Sequence, residues 1–338
     1  MRLLNLLFLS GLATAAPGTT LHARAAVNDR CNIGYCTQNG GTTGGGNAAQ
    51  VTVRSLSELA AAASATGPSV ILVQGSISGA AKVQVGSDKT IIGKSGSSLN
   101  GIGFTINGKK NVIIRNMKIA KVAATYGDAI TIQKSTNVWV DHCDISSEKG
   151  SDKDFYDGLV DLSHAADFVT ISHSYLHDHH KGCLVGHSDN NAAEDVGKLR
   201  VTYANNHFKN VGSRGPLLRF GTAHIFKFVY QYPFLYFTNS KNSGYYDTMD
   251  TGLNSRMNAQ ALIQSSVFTN VGKKAIFSES SREVGYVVAE DVVLNGQSQN
   301  TAPKGNLSSG KIPYQFSLLG SGRVASTVPG QAGQRLSF

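Results

Sequence analysis

Residues Asn137–Ser146 read NVWVDHCDIS, and the eight residues from Val138 recur in altered form along the chain. The copies are VILVQGSI from Val70, TIIGKSGS from Thr90, VIIRNMKI from Val112, VTISHSYL from Val169, VTYANNHF from Val201, ALIQSSVF from Ala261 and YVVAEDVV from Tyr286, with a shortened copy, HIF, at His224. Each opens on an aliphatic or β-branched run, turns polar and small, and usually returns to an apolar residue. Their starts lie 20, 22, 26, 31, 32, 23, 37 and 25 residues apart. A unit that recurs at this period and cannot bury its own apolar face must stack on its neighbours. The pattern predicts an all-β fold, a right-handed parallel β-helix.

A second column of strands falls between these copies: DAITIQ from Asp128, DGLVDLS from Asp157, KGCLVGH from Lys181, GPLLRFG from Gly215 and KAIFSES from Lys274. Parallel neighbours lie ~4.8 Å apart, so four coils span roughly 15 Å. Asp128, Asp157, Lys181 and Arg214 or Gly215 then come near one register on an outer face. Before the first coil, Ser55 and Glu58 form the capping box of a helix, LSELAAAASA, closed by Gly67-Pro68. Its expected role is to cover the open end of the solenoid.

The chain has 338 residues, 16% of them charged, with 37 glycines and a net charge of +9. This suits one β-solenoid domain over residues 25–338 and an anionic partner. Nucleic acid is disfavoured, since Lys and Arg form no clustered run. Arg2, the apolar Leu3–Leu12 and Ala13-Thr14-Ala15 have the order of a secretory signal over residues 1–16, with a pro-segment extending to about Arg24. The expected protein is therefore secreted, with no membrane span and no self-complementary surface, hence a monomer. In an exported chain Cys31 and Cys36 can close a local loop, while Cys143 and Cys183 can pair or remain free in the core. Asn306 is the candidate glycosylation acceptor. The long gap after His224 holds KFVYQYPFLYFTNSK, Lys227–Lys241, unlike its surroundings. It reads as a foreign insertion such as a translated intron, the alternative being an aromatic platform on which sugars stack.

Asp157 and Asp161 would stand ~13 Å apart on an extended strand, so a bend at Tyr156-Asp157-Gly158 is needed to bring them together. With Asp128 they make an all-carboxylate set, suited to a hard cation such as Ca2+ rather than to zinc. Capping of turns is the competing use of these acids. Arg214 and Arg219 lie five residues apart on a strand stiffened by Pro216, about one coil beyond Lys181. Three cations beside such a site suit a polyanion whose carboxylates pair with guanidinium and metal.

VWVDHCDIS, YDGLVDLS, HDHHKGCLVGHSD and RGPLLRFGTAHIF, in this order and spacing, resemble the extracellular pectate lyase family in its fungal branch. The resemblance implies Ca2+-dependent cleavage of polygalacturonate by β-elimination. It assigns Asp128, Asp157 and Asp161 as calcium ligands, Arg214 as the base at C5 of the uronate, and Lys181 and Arg219 as partners of the substrate carboxylate. Asp141 and His142 are expected to support the site structurally. Arginine can act as a base only under alkaline conditions, since its pKa exceeds 12. Cys183 departs from the apolar residue the family often carries there. Three rivals remain. A pectin lyase would have an aromatic, Trp-rich cleft and lack the three acids, whereas this chain has one Trp. A β-helical hydrolase would use paired carboxylates and leave the Arg-Gly-Pro-Leu-Leu-Arg stretch without a role. A non-catalytic polysaccharide-binding solenoid would bind without turnover.

Overall fold

The computed structural model describes residues 23–231 and 251–338. Apart from the pair Ala23–Arg24 and Leu336–Ser337, its strands form one continuous parallel sheet that winds as a right-handed β-helix with three strand-bearing faces. The first face stacks Ser69–Val73, Lys89–Gly93, Lys110–Arg115, Thr136–Asp141, Asp167–Ser172, Arg200–Ala204, Thr222–Phe226 and the first half of Gln260–Thr269. These are the repeat copies. Val138 pairs with Val112 on one side and Val169 on the other, and the row continues through Val201, Ala223 and Ala261. Two residues on, Ile114, Val140, Ile171, Tyr203, Ile225 and Ile263 make a second buried row. Strand alternation sends both rows to the interior.

The polar middle of each copy from Val112 onward is a corner made by one residue. Asn116, His142, His173, Asn205, Lys227, Ser265 and Asp291 all have φ between 44° and 56°. This left-handed conformation suits Asn, Asp and His better than most side chains. It redirects the chain into the second face, where Lys118–Ala120, Asp144–Ser146, Tyr175–Lys181, His207–Ser213 and Val229–Gln231 stack. Each copy is thus two short strands around a corner. The third face holds Ile130–Gln133, Val160–Ser163, Leu184–Val185, Leu217–Arg219 and Leu253–Arg256, the column expected to carry the site.

Recognising the corner corrects the reading of residues 222–231. His224-Ile225-Phe226 is not a shortened copy, because Lys227 is its corner residue and Phe228-Val229-Tyr230 its second strand. Val229 pairs with both His207 and Val267, while Phe228 and Tyr230 are fully buried. Lys227–Gln231 therefore belong to the coil, and the expected insertion boundary at Lys227 does not hold; the remainder of that stretch, 232–241, lies outside the described residues.

The N-terminal helix spans Leu56–Ser64, with both hydrogen bonds of the Ser55/Glu58 capping box formed. It buries Leu59 and Ala63 in the core at the solenoid's end. Two longitudinal straps had no counterpart in the repeat pattern. The first, residues 31–48, lies along the outside of the first face. There the Cys31–Cys36 disulfide packs on Ile113 and Trp139, and the Tyr35 and Cys36 N–H groups donate to Thr202 and Thr170 Oγ1. The second is C-terminal. Helix Ser321–Gln331 buries Val324 and Val328 against Val229 and Val267, the Gly333 N–H donates to the His173 carbonyl, and Leu336 pairs with Ala23. Ala23–Arg24, placed by the sequence at the end of a pro-segment, is thereby a strand partner of the C-terminus. Cys143 and Cys183 are separate buried thiols, one after the first-face corner and the other on the third face. Asn306 is exposed.

Replacing Phe228 with Ala should destabilise the protein by about 3–5 kcal/mol in urea unfolding, the range for deleting a buried aromatic. A change within 0.5 kcal/mol would show that Lys227–Gln231 lie outside the cooperative core.

Candidate active site

Strand pairing sets the level of each functional side chain. Val160 opposes Ile130, Leu162 opposes Val185, and Leu184 opposes Leu217. Counting back along the strands brings Asp128, Gly158 and Lys181 to one level, with Asp157 one residue earlier, while Ser213 is the register partner of Lys181 and Arg214 follows it. The chain does bend at Asp157-Gly158. The Gly158 N–H donates to Asp128 Oδ1 at 2.9 Å, and a Cβ on Gly158 would stand 2.5 Å from Asp161 Oδ1. Asp128 and Asp161 flank this glycine closely.

Both acids are buried. Asp128 accepts from Thr131 Oγ1 at 2.8 Å, and Asp161 accepts from the Leu184 N–H at 2.9 Å. Arg214 Nη1 lies 3.3 Å from Asp161 Oδ2. Burial, and then the charge of Asp128, nevertheless push Asp161 well above the ordinary carboxylate range. One long contact from a partly exposed guanidinium is outweighed by desolvation and a like charge. Asp157 is turned away. Its side chain is 42% exposed and lies 3.6 Å from Lys181 Nζ. Among the described residues, only Asp141, His142 and His173 form a set of three such donors within 4.8 Å of one another. The three acids assigned to calcium are therefore adjacent but not converged. Two buried carboxylates with a single weakly held cation, and a third at hand, leave negative charge uncompensated. This all-oxygen set fits a hard divalent cation.

The expected cations occupy the neighbouring coils. Lys181 Nζ reaches Asp154 at 3.1 Å as well as Asp157. Asp154, on the loop before the bend, is held at about 2 by Lys153 and Lys181. Arg214 is not in a strand. It has φ +58° and precedes the cis Gly215–Pro216 peptide, and the strand itself covers Leu217–Arg219. Arg219 donates to the Gly186 carbonyl and to Asp189, which is fixed in turn by Ser281 and Arg282. On the next coil Arg256 is the register partner of Arg219, and its buried Nε has no hydrogen-bond partner. Burial, and then Arg219, lower its pKa. Sequence reasoning missed Arg256 because its alignment with Arg219 crosses the longest gap between copies. It also missed Asp154 and Asp189, although Asp189 closes the HDHHKGCLVGHSD word.

Asp141 and His142 do not support this site. They lie at the corner between the first and second faces, where Asp141 accepts from Arg115, Ser172 and His142. Arg115 carries the network to Asp29, on the N-terminal segment. The expectation of support near the carboxylates is replaced by a role in coil stacking. Asp141→Asn should cost about 3–5 kcal/mol in denaturant unfolding, because it leaves the Arg115 charge buried with half its pairing.

A solenoid wall that sets buried carboxylates beside a row of cations is built to receive an elongated polyanion. A sequence profile described as pectate lyase matches residues 9–334. Pectate lyase plyB of Emericella nidulans is 52% identical, over 99% of this chain and 100% of its own. Pectate lyase B of Colletotrichum gloeosporioides is 50% identical, over 94% and 90%. A crystal structure of a Bacillus pectate lyase in complex with trigalacturonate superposes with TM-score 0.76 at 27% identity, covering 90% of this chain and 98% of that one. The chain belongs to the pectate lyase family, and it is a polysaccharide lyase with the β-helix that its repeats predicted.

Gly158→Ala drives a methyl into the Asp161 carboxylate and should lower lyase activity more than tenfold while the far-ultraviolet circular dichroism stays unchanged. Undiminished activity would show that the Asp128–Asp161 spacing is not critical.

Proposed function

We propose that the protein is a secreted pectate lyase that cleaves polygalacturonate by Ca2+-dependent β-elimination, with Asp128, Asp157 and Asp161 as the metal-binding acids. One observation carries this reading: the buried, under-compensated Asp128–Asp161 pair has Arg214 3.3 Å from Asp161 and Lys181 3.6 Å from the adjoining Asp157. Calcium bound there would neutralise the acids and draw charge from a uronate carboxylate. The chain's own residues supply the rest.

Lys181, Arg219 and Arg256 receive carboxylates of the polymer. Asp189 and the Gly186 carbonyl fix the Arg219 guanidinium in advance, so little rotamer entropy is lost on binding. Arg214, 3.3 Å from Asp161, takes the proton from C5. The electron pair left at C5 becomes the C4–C5 double bond as the C4–O bond breaks, and the departing oxygen takes a proton from solvent water. Charge developing on the uronate carboxylate in the transition state is met by fixed cations, which is where they lower the barrier. A guanidinium must give up its own proton before it can accept another, so the rate is expected to climb into the alkaline range. No helix among the described residues is long and apolar enough to cross a membrane.

Polygalacturonate treated at alkaline pH should yield ultraviolet-absorbing unsaturated product with Ca2+ and none with chelator. Arg214→Lys should lower kcat by at least 100-fold, the lower range for losing a positioned proton acceptor, with KM changed less. Reducing ends without unsaturation would identify a hydrolase, and binding without product a non-catalytic solenoid.

A further inference from the structure

Lys181, Arg219 and Arg256 all lie on the coils that follow Asp128, so they meet the polymer on one side of the acids. Lys82 lies on the other side. It comes from the strand Ser76–Gln84, where it pairs with Gly103. Phe104 in turn pairs with Ile130, which puts Lys82 level with Ala129, the residue after Asp128. Alternation turns its neighbour Val83 into the core and Lys82 outward, where it is exposed. Glycine at 103 leaves no side chain between the two strands. Lys82 and Lys181 thus stand two coils before and two coils after Asp128.

The Lys82 side chain runs toward the acids. Its Nζ lies 2.7 Å from where a Cβ on Gly127 would stand. Thr131 Oγ1, which donates to Asp128 Oδ2, lies 3.7 Å from that same point. The ammonium has therefore crossed a coil to reach the residue before Asp128, yet it makes no ion pair or hydrogen bond among the described residues.

We propose that Lys82 binds a uronate carboxylate of the polygalacturonate chain on the side of the acids opposite Lys181, so that the binding groove runs through the acids and does not end at them. This rests on the pectate lyase reading of the site.

Asp128 does not need Lys82 as a partner, because the Thr131 hydroxyl and the Gly158 N–H already donate to its two oxygens. Lys181 differs, since it is engaged by Asp154 and Asp157. The negative charge of the acids draws the Lys82 ammonium along the surface without reaching ion-pair distance. When a divalent ion neutralises the acids, that attraction is cancelled and the ammonium is left for an anion from solvent. Gly127 stands four strand spacings before Arg256, so the cations at the two ends of the groove are roughly 19 Å apart along the axis. That is room for several sugar rings, each carrying a carboxylate.

The test is calorimetric binding of hexagalacturonate at saturating Ca2+ to the Arg214→Lys protein, with and without Lys82→Gln, beside steady-state kinetics in the Arg214 background. Lys82→Gln should weaken hexagalacturonate binding about fivefold, the upper range for an exposed ion pair, and Lys82→Arg should restore it. In the Arg214 background KM for hexagalacturonate should rise by a similar factor while kcat changes less than about twofold. Because Lys82 is exposed, Tm should not move. A lysine that served only as counter-charge to the acids would instead leave saccharide binding intact and tighten Ca2+ binding when removed. Equal hexagalacturonate affinity with and without Lys82→Gln, or no binding to either protein, would overturn the proposal. The binding measurement needs no turnover, so it decides the role of Lys82 even if the unsubstituted protein makes no unsaturated product, the outcome that would count against the lyase reading.

Discussion

Everything in this molecule depends on parallel strands staying in register from one coil to the next. With ~4.8 Å between strands, a residue stacks on its counterpart above and below. An interior row such as Val112, Val138, Val169 and Val201 is then buried as a unit. A slip of one residue would turn each row outward. The single left-handed corner residue keeps the register, because it sets where one face ends and the next begins. Loops enter elsewhere, which is how the coils differ in length and still stack.

The same register assembles the site. No single coil contains it. Asp128, Gly158, Lys181 and Arg214 come from four successive turns, and the chemistry follows from their being neighbours in the stack. A glycine at the bend is required by space: Gly158 stands where any side chain would displace the Asp161 carboxylate. Two acids brought so close and desolvated repel one another, and this is the condition that makes a divalent ion welcome.

Much of this was legible in the sequence because apolar periodicity and the order of acids and cations are local, one-dimensional signals. The solenoid, the capping helix, the third-face column and the bend at Asp157-Gly158 all came from such signals. What escaped was either three-dimensional or hidden by a wrong division of the repeat. Lys227 looked like the first residue of something foreign because the corner had not been identified, and a lysine there resembled none of the Asn, His or Ser in the other copies. Arg256 was missed because an alignment across so long a gap between copies cannot be counted. The location of Asp141 and His142 was misjudged because the sequence gives their strand but not which face of the coil turns toward the acids.

The straps bear on how the solenoid comes apart. In a stack where each repeat touches only its neighbours, stability is a sum of local terms, and coils can fray from either end. Here the C-terminal segment runs back along the axis from Val267 past His173 to Asn116 and Ala23, touching coils far apart in the stack. The N-terminal segment does the same between Thr202 and Thr90. An end coil cannot peel away without also releasing a tie that holds the middle. What would have been a zipper becomes a bound sheaf, whose coils open together or not at all.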